Sequence, residues 1–125
     1  MSRILVVDQD APSRRQTLGV LEDCGYESGS CDSGDQALAA LREYPDYWQV
    51  LITEVALAGL DGVGLMQAVR YDLKLPVPVI AVTVYQPSVF DHGVVQGFQA
   101  WLCKPLSSSR LKAVLRKIAP ASEEH

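Results

Sequence analysis

Short apolar runs alternate with segments of helical period along this chain. Arg3 to Val7 is a continuous apolar run, the signature of a parallel strand covered on both faces. A helix follows from about Ala11-Pro12, with proline at a tolerated first-turn position, Leu18, Val20 and Leu21 facing inward, and Gly25 as its stop. Tyr26 to Cys31 reads as a weaker second strand, broken by Ser28 and Gly29. Ser33 and Gln36 have capping-box spacing ahead of Ala37, Leu38 and Leu41, and Tyr44-Pro45-Asp46 ends that helix. Gln49 to Glu54 is a third strand. Asp61 caps a third helix that runs to about Tyr71 with Leu65, Met66 and Val69 inward. Val77 to Val84 is a fourth strand. The Pro87 segment after it is sparsely patterned, so its helix is the least marked. Ala100 to Cys103 is a fifth strand, and Ser107 caps a last helix with a stripe of Leu111, Val114, Leu115 and Ile118.

Five alternations of strand and helix predict an α/β fold with a doubly wound parallel sheet and right-handed crossovers. The 125 residues support one core, read as a domain over residues 1–119 and a frayed tail over 120–125. No internal repeat or low-complexity stretch is visible. A hydrophobic content of 48% and a charged content of 21% suit a globular domain. Leu75 to Val84 contains two prolines and is too short to span a bilayer, and the first apolar run is too short for a signal peptide. The expected location is the cytoplasm. A net charge of −4 argues against direct nucleic-acid binding. Cys24, Cys31 and Cys103 form no Cys-x-x-Cys pair, and neither His92 nor His125 clusters with them, so the expected role of the cysteines is packing.

Chemistry gathers at the strand ends, where open α/β sheets place their sites. Asp8 ends the first strand, Glu54 the third and Thr83 the fourth, while the fifth runs into Lys104-Pro105. Ile4-Leu-Val-Val-Asp8, Glu54 to Asp61-Gly62, Val79-Ile-Ala-Val-Thr83 and Trp101-Leu-Cys-Lys-Pro105 together resemble the receiver domain of two-component response regulators. The resemblance covers nearly the whole chain and implies the flavodoxin-like strand order 2-1-3-4-5. It also implies a pocket in which an Asp on the third strand accepts a phosphoryl group, usually from a histidine kinase. A divalent ion neutralises the charge there, and a Thr and a Lys grip the phosphoryl oxygens.

Carried over by position, Glu54 stands where that Asp is expected. Asp8 matches the first member of the acidic pair, and Gln9 stands at the second. Thr83 and Lys104 match the gripping pair, Trp101 the switching aromatic, and Pro105 a proline that is cis in the family. Val84 replaces a small residue, Ala58 replaces a proline, and the stretch from Thr83 to Trp101 is about one residue short.

Glu54 carries its carboxylate roughly 1.5 Å further out than Asp would. A displacement of about 1 Å costs a positioned reaction roughly 100-fold. With Gln9 offering an amide in place of a second carboxylate, Mg²⁺ held by Asp8 and Glu54 is expected to be weak. Glu54 is expected to pair with Lys104 or accept a hydrogen bond from Thr83. These features favour a signalling interaction module that is independent of phosphorylation, or nearly so, with autophosphorylation weak or lost. It would work through the face of the fourth helix, fifth strand and fifth helix, toward a histidine kinase, another signalling protein, an output domain or a second copy. The alternative is a working Mg²⁺-dependent phospho-acceptor. A nucleotide or flavin module ranks last, because Asp8-Gln-Asp-Ala-Pro12 lacks a glycine-rich phosphate loop.

Overall fold

A computed structural model describes residues 3–119; the expected frayed tail over 120–125 lies outside them. The elements are β1 (Arg3–Val7), α1 (Ala11–Asp23), β2 (Glu27–Cys31), α2 (Gly34–Glu43), β3 (Val50–Thr53), α3 (Gly62–Gln67), β4 (Val79–Thr83), α4 (His92–Val95), β5 (Ala100–Cys103) and α5 (Ser108–Ile118). The strands form one parallel sheet in the order β2-β1-β3-β4-β5.

Alternate strand positions feed two cores. Leu5, Val7, Leu51, Val79 and Ala81 meet Ala37 and Leu41 of α2 and Leu65 and Met66 of α3 on one face. Ile4, Val6, Val50, Ile52, Ile80 and Val82 meet Val20 and Leu21 of α1 and Leu111 and Leu115 of α5 on the other. Burial on both faces explains why the inner strands read as unbroken apolar runs. β2 lies at the sheet edge and is the polar exception, with Glu27, Ser28 and Ser30 exposed.

Side chains cap four of the helices. Asp10 accepts from Ser13 N, Ser33 from Gln36 N, Asp61 from Gly64 N and Ser107 from Arg110 N. The box at α2 closes differently from its spacing, because Gln36 Oε1 accepts from Asp32 N at 3.4 Å and leaves Ser33 N aside.

The third helix departs most from the sequence pattern. Its α-helical part ends at Gln67 and continues as one π-helical turn, Ala68–Asp72. There Arg70 donates to the carbonyls of Leu75 and Val77 and to Gln99 Oε1. The widened turn therefore goes with a guanidinium tied to the chain entering β4. β4 begins at Val79, two residues later than its apolar run suggests. Beyond it, a 3₁₀ turn at Pro87–Val89 and the single turn of α4 replace a longer helix.

Candidate functional site

Register places the site. Val7 of β1 is level with Thr53 of β3, so Asp8 and Glu54 each follow a paired strand end, and Glu54 N donates to Val7 O at 2.9 Å. Thr83 is level with Cys103, and Lys104 N donates to Thr83 O at 2.7 Å. The Lys104–Pro105 peptide is cis.

Lys104 reaches across β4 to the two acids. Its Nζ donates to Glu54 Oε1 at 2.6 Å and to Asp8 Oδ2 at 3.0 Å. The carboxylates are buried, at 7% exposure for Glu54 and 4% for Asp8. Burial pulls the Lys104 ammonium down, but the hydrogen bonds to Glu54 and Asp8 and their charges outweigh it, so its pKa lies above the ordinary 10.5.

The extra methylene of Glu54 lets the carboxylate curl over its own loop. Oε2 accepts from Val55 N at 2.7 Å and Ala56 N at 3.1 Å, which leaves Oε1 for the lysine. The loop is held close behind it: Thr53 Oγ1 donates to Glu54 O, and Gly62 N donates to Val55 O. A Cβ on Gly62 would fall on the Glu54 carbonyl oxygen and 2.7 Å from Val55 Cα, so only glycine fits there.

The other sequence candidates are placed differently. Asp8 Oδ1 accepts from Asp10 N at 3.0 Å, and Asp10 turns to cap α1. Gln9 Oε1 accepts from Ala58 N at 2.8 Å and so braces the loop after β3. Thr83 is fully buried; its Oγ1 accepts from Tyr85 N at 3.5 Å and bonds neither Glu54 nor Lys104. Trp101 donates its indole N–H to Tyr85 O at 2.9 Å and packs against Phe90 and Phe98. Val84 and Tyr85 are exposed. Arg14, which the sequence reading missed, donates to Asp8 O at 2.5 Å. Its position one turn into α1 was the available signal.

A divalent ion fits these donors poorly. Hard cations take six or more oxygens. Here each carboxylate oxygen of Asp8 and Glu54 already accepts a hydrogen bond, and an ammonium bridges the pair. Among the described residues, no group of three or more His, Cys, Asp or Glu side chains is placed to hold a metal. No helix among them is long and apolar enough to cross a membrane.

An acid after β1, an acid after β3 and a lysine after β5 on a 2-1-3-4-5 parallel sheet define the receiver class. The response regulator receiver domain matches residues 4–116, and the chain belongs to that family. It is similar to the two-component response regulator ARR11 of Arabidopsis thaliana, with 32% identity over 93% of this chain and 22% of the relative. It is also similar to the phosphate regulon transcriptional regulatory protein PhoB of Pseudomonas aeruginosa, with 31% identity over 97% of this chain and 55% of the relative. The chain thus spans about a fifth of the first and just over half of the second.

Among solved structures, chemotaxis response regulator CheY4 of Vibrio cholerae superposes with a TM-score of 0.83 at 27% identity, covering 94% of this chain and 98% of that one. The receiver domain of sensor histidine kinase PA1611 of Pseudomonas aeruginosa, described with a magnesium ion coordinated in its active site cleft, shares the fold. Its TM-score is 0.79 at 21% identity, over 94% of this chain and 96% of that one.

Proposed function

We propose that this receiver acts as a signalling interaction module whose state is set by a resident contact between Lys104 and Glu54, without phosphorylation at the usual position. The observation that carries this reading is the 2.6 Å contact between Lys104 Nζ and Glu54 Oε1, with Asp8 Oδ2 as the second acceptor. A phosphoryl group would have to displace that carboxylate from the lysine and from two backbone amides. Mg²⁺ would have to compete with the ammonium, so its binding is weak. In this reading autophosphorylation is weak or lost. The chain works in the cytoplasm, and its output surface is the face of α4, β5 and α5. The partner there is a histidine kinase, another signalling protein, an output domain or a second copy of the chain.

Intact-protein mass after incubation with a small acyl phosphate and Mg²⁺ tests the proposal, with Glu54→Asp alongside. The natural chain should gain nothing and the variant one phosphoryl group. Phosphorylation of the natural chain would overturn the reading. If neither protein is modified, Gln9 and Val84 also disable the pocket, and the interaction role stands alone.

A further inference from the structure

Charge is unevenly placed on this chain. α5 carries Arg110, Lys112, Arg116 and Lys117, four of the 11 cations and none of the 15 acids. It is a basic strip on a chain of net charge −4. Leu111 and Leu115 are its buried side. Helical spacing then puts Arg110 and Lys117, at i and i+7, along one flank of the outward side. Lys112 and Arg116, at i and i+4, run along the other. Ser109 and Ala113 lie between the two rows. Arg110, Ala113, Arg116 and Lys117 are exposed, and Lys112 is half-buried.

The helix's own electrostatics account for only part of this arrangement. Arg116 and Lys117 sit in the last turn, where cations offset the helix dipole. Arg110 sits in the first turn, three residues after the cap Ser107, to whose Oγ its N donates. A carboxylate is favoured there and a cation is not. Lys112 and Arg116 are like charges one turn apart, and they repel. Among the described residues, none of the four is in an ion pair. Local conflicts without a compensating contact are expected at functional positions. Here the compensating group has to be anionic and come from outside the helix.

Anionic occupants differ in what they require. A membrane surface requires an apolar face beside the cations, and the apolar side of α5 is packed in the core. Duplex nucleic acid is held by many phosphate contacts over a broad surface, and all 15 acids of this chain lie off the strip. An acidic helix needs only the strip itself, which runs about 10 Å from Arg110 to Lys117 by helical rise.

We propose that the outward side of α5 docks an acidic helical segment of a partner protein. Its carboxylates meet Arg110 and Lys117 on one flank and Lys112 and Arg116 on the other, and the small Ser109 and Ala113 allow close approach. This names the partner chemistry of the output face and rests on that face being the docking surface. It does not depend on the state of Glu54.

The test is a titration of the ¹⁵N-labelled chain with a helical peptide carrying glutamates at three- and four-residue spacing. Saturable amide shifts should fall on α5, and affinity should drop as salt is raised. Arg110→Glu separates docking from a merely solvated face. It should raise the thermal midpoint, because an acid then meets the helix N-terminus, yet weaken peptide binding roughly fivefold to tenfold. Unchanged affinity in that variant would overturn the proposal. Shifts confined to α4 and β5 would overturn it while leaving the output face in place, and no shift on any of the three elements would remove both. Equal binding of a peptide with the same glutamates in scrambled order would overturn the helical segment. Tighter saturation by a DNA duplex or by phosphatidylserine vesicles would overturn it in favour of a phosphate surface. Peptide binding seen only after Glu123→Gln and Glu124→Gln would assign the strip to the chain's own tail and overturn it as well.

Discussion

Lys104 Nζ stands 2.6 Å from Glu54 Oε1 and 3.0 Å from Asp8 Oδ2, with only 17% of its side chain exposed. Two carboxylates on neighbouring strand ends thus share one cation. Removing the cation leaves like charges buried together. Exposed pairs are worth ~0–1 kcal/mol, and breaking a buried pair costs ~3–5 kcal/mol. Lys104→Met should therefore cost about 2–4 kcal/mol by chemical denaturation. Adding Glu54→Gln to it should restore part of the loss, since the repulsion goes with the charge. A double variant no more stable than the single would show that the carboxylates do not repel.

The same contact gives stability a pH signature. The folded-state pKa of Lys104 lies above its ordinary 10.5, so the native chain holds that proton more tightly than the unfolded one. The contribution is complete below the ordinary value and disappears as pH rises through the folded value. As pH is raised from about 10.5 upward, the natural chain should lose more unfolding free energy than Lys104→Met. Parallel curves for the two proteins would contradict the shift.

Glu54→Gln keeps the shape of the side chain and an oxygen for the loop amides but weakens the hold on Lys104. If the charged contact sets the state of the output face, amide exchange over Gln86–Phe90 and α4 should accelerate. Unchanged exchange there would separate Glu54 from that face and count against the proposed function.

Trp101 ties its strand to the loop after β4 through the carbonyl of Tyr85. Trp101→Phe should keep much of the packing against Phe90 and Phe98 while freeing that carbonyl. The expected cost is about 0.5–1.5 kcal/mol. Faster exchange at Val84–Phe90, with α5 unaffected, would localise the effect.

Gly62 packs against the backbone of Glu54 and Val55, which cannot retreat as a flexible side chain would. Gly62→Ala should cost about 1–3 kcal/mol and push the loop after β3 outward. The Lys104–Glu54 contact should lengthen with it. A thermal melt together with the Lys104 side-chain resonances would show both effects.

Much of the fold was legible because both faces of the sheet are covered: Ile4 to Val7 and Val79 to Val82 read as apolar runs for that reason. The caps at Asp61 and Ser107 announced their helices. Strand order came from the family resemblance, since periodicity carries no information about which strands pair. The π-helical turn at Ala68–Asp72 was hidden, since residue types alone do not show that Arg70 bonds Leu75, Val77 and Gln99 there. At the candidate site, residue types and strand ends were readable, but side-chain directions were not. Nothing in the sequence says that Glu54 curls onto Val55 N, that Gln9 turns to Ala58 N, or that Thr83 faces Tyr85 N. Those choices are settled by loop amides whose positions depend on the whole fold.

Trp101 and Trp48 differ in a way that reaches beyond the candidate site. One indole is satisfied by the chain just past β4, and the other is unsatisfied where β3 is about to begin. The chain therefore carries two intrinsic optical reporters, separable by replacing one tryptophan at a time. Coincident melting of both signals would establish all-or-none unfolding without any attached label. Separate transitions would show that one end of the sheet yields before the other.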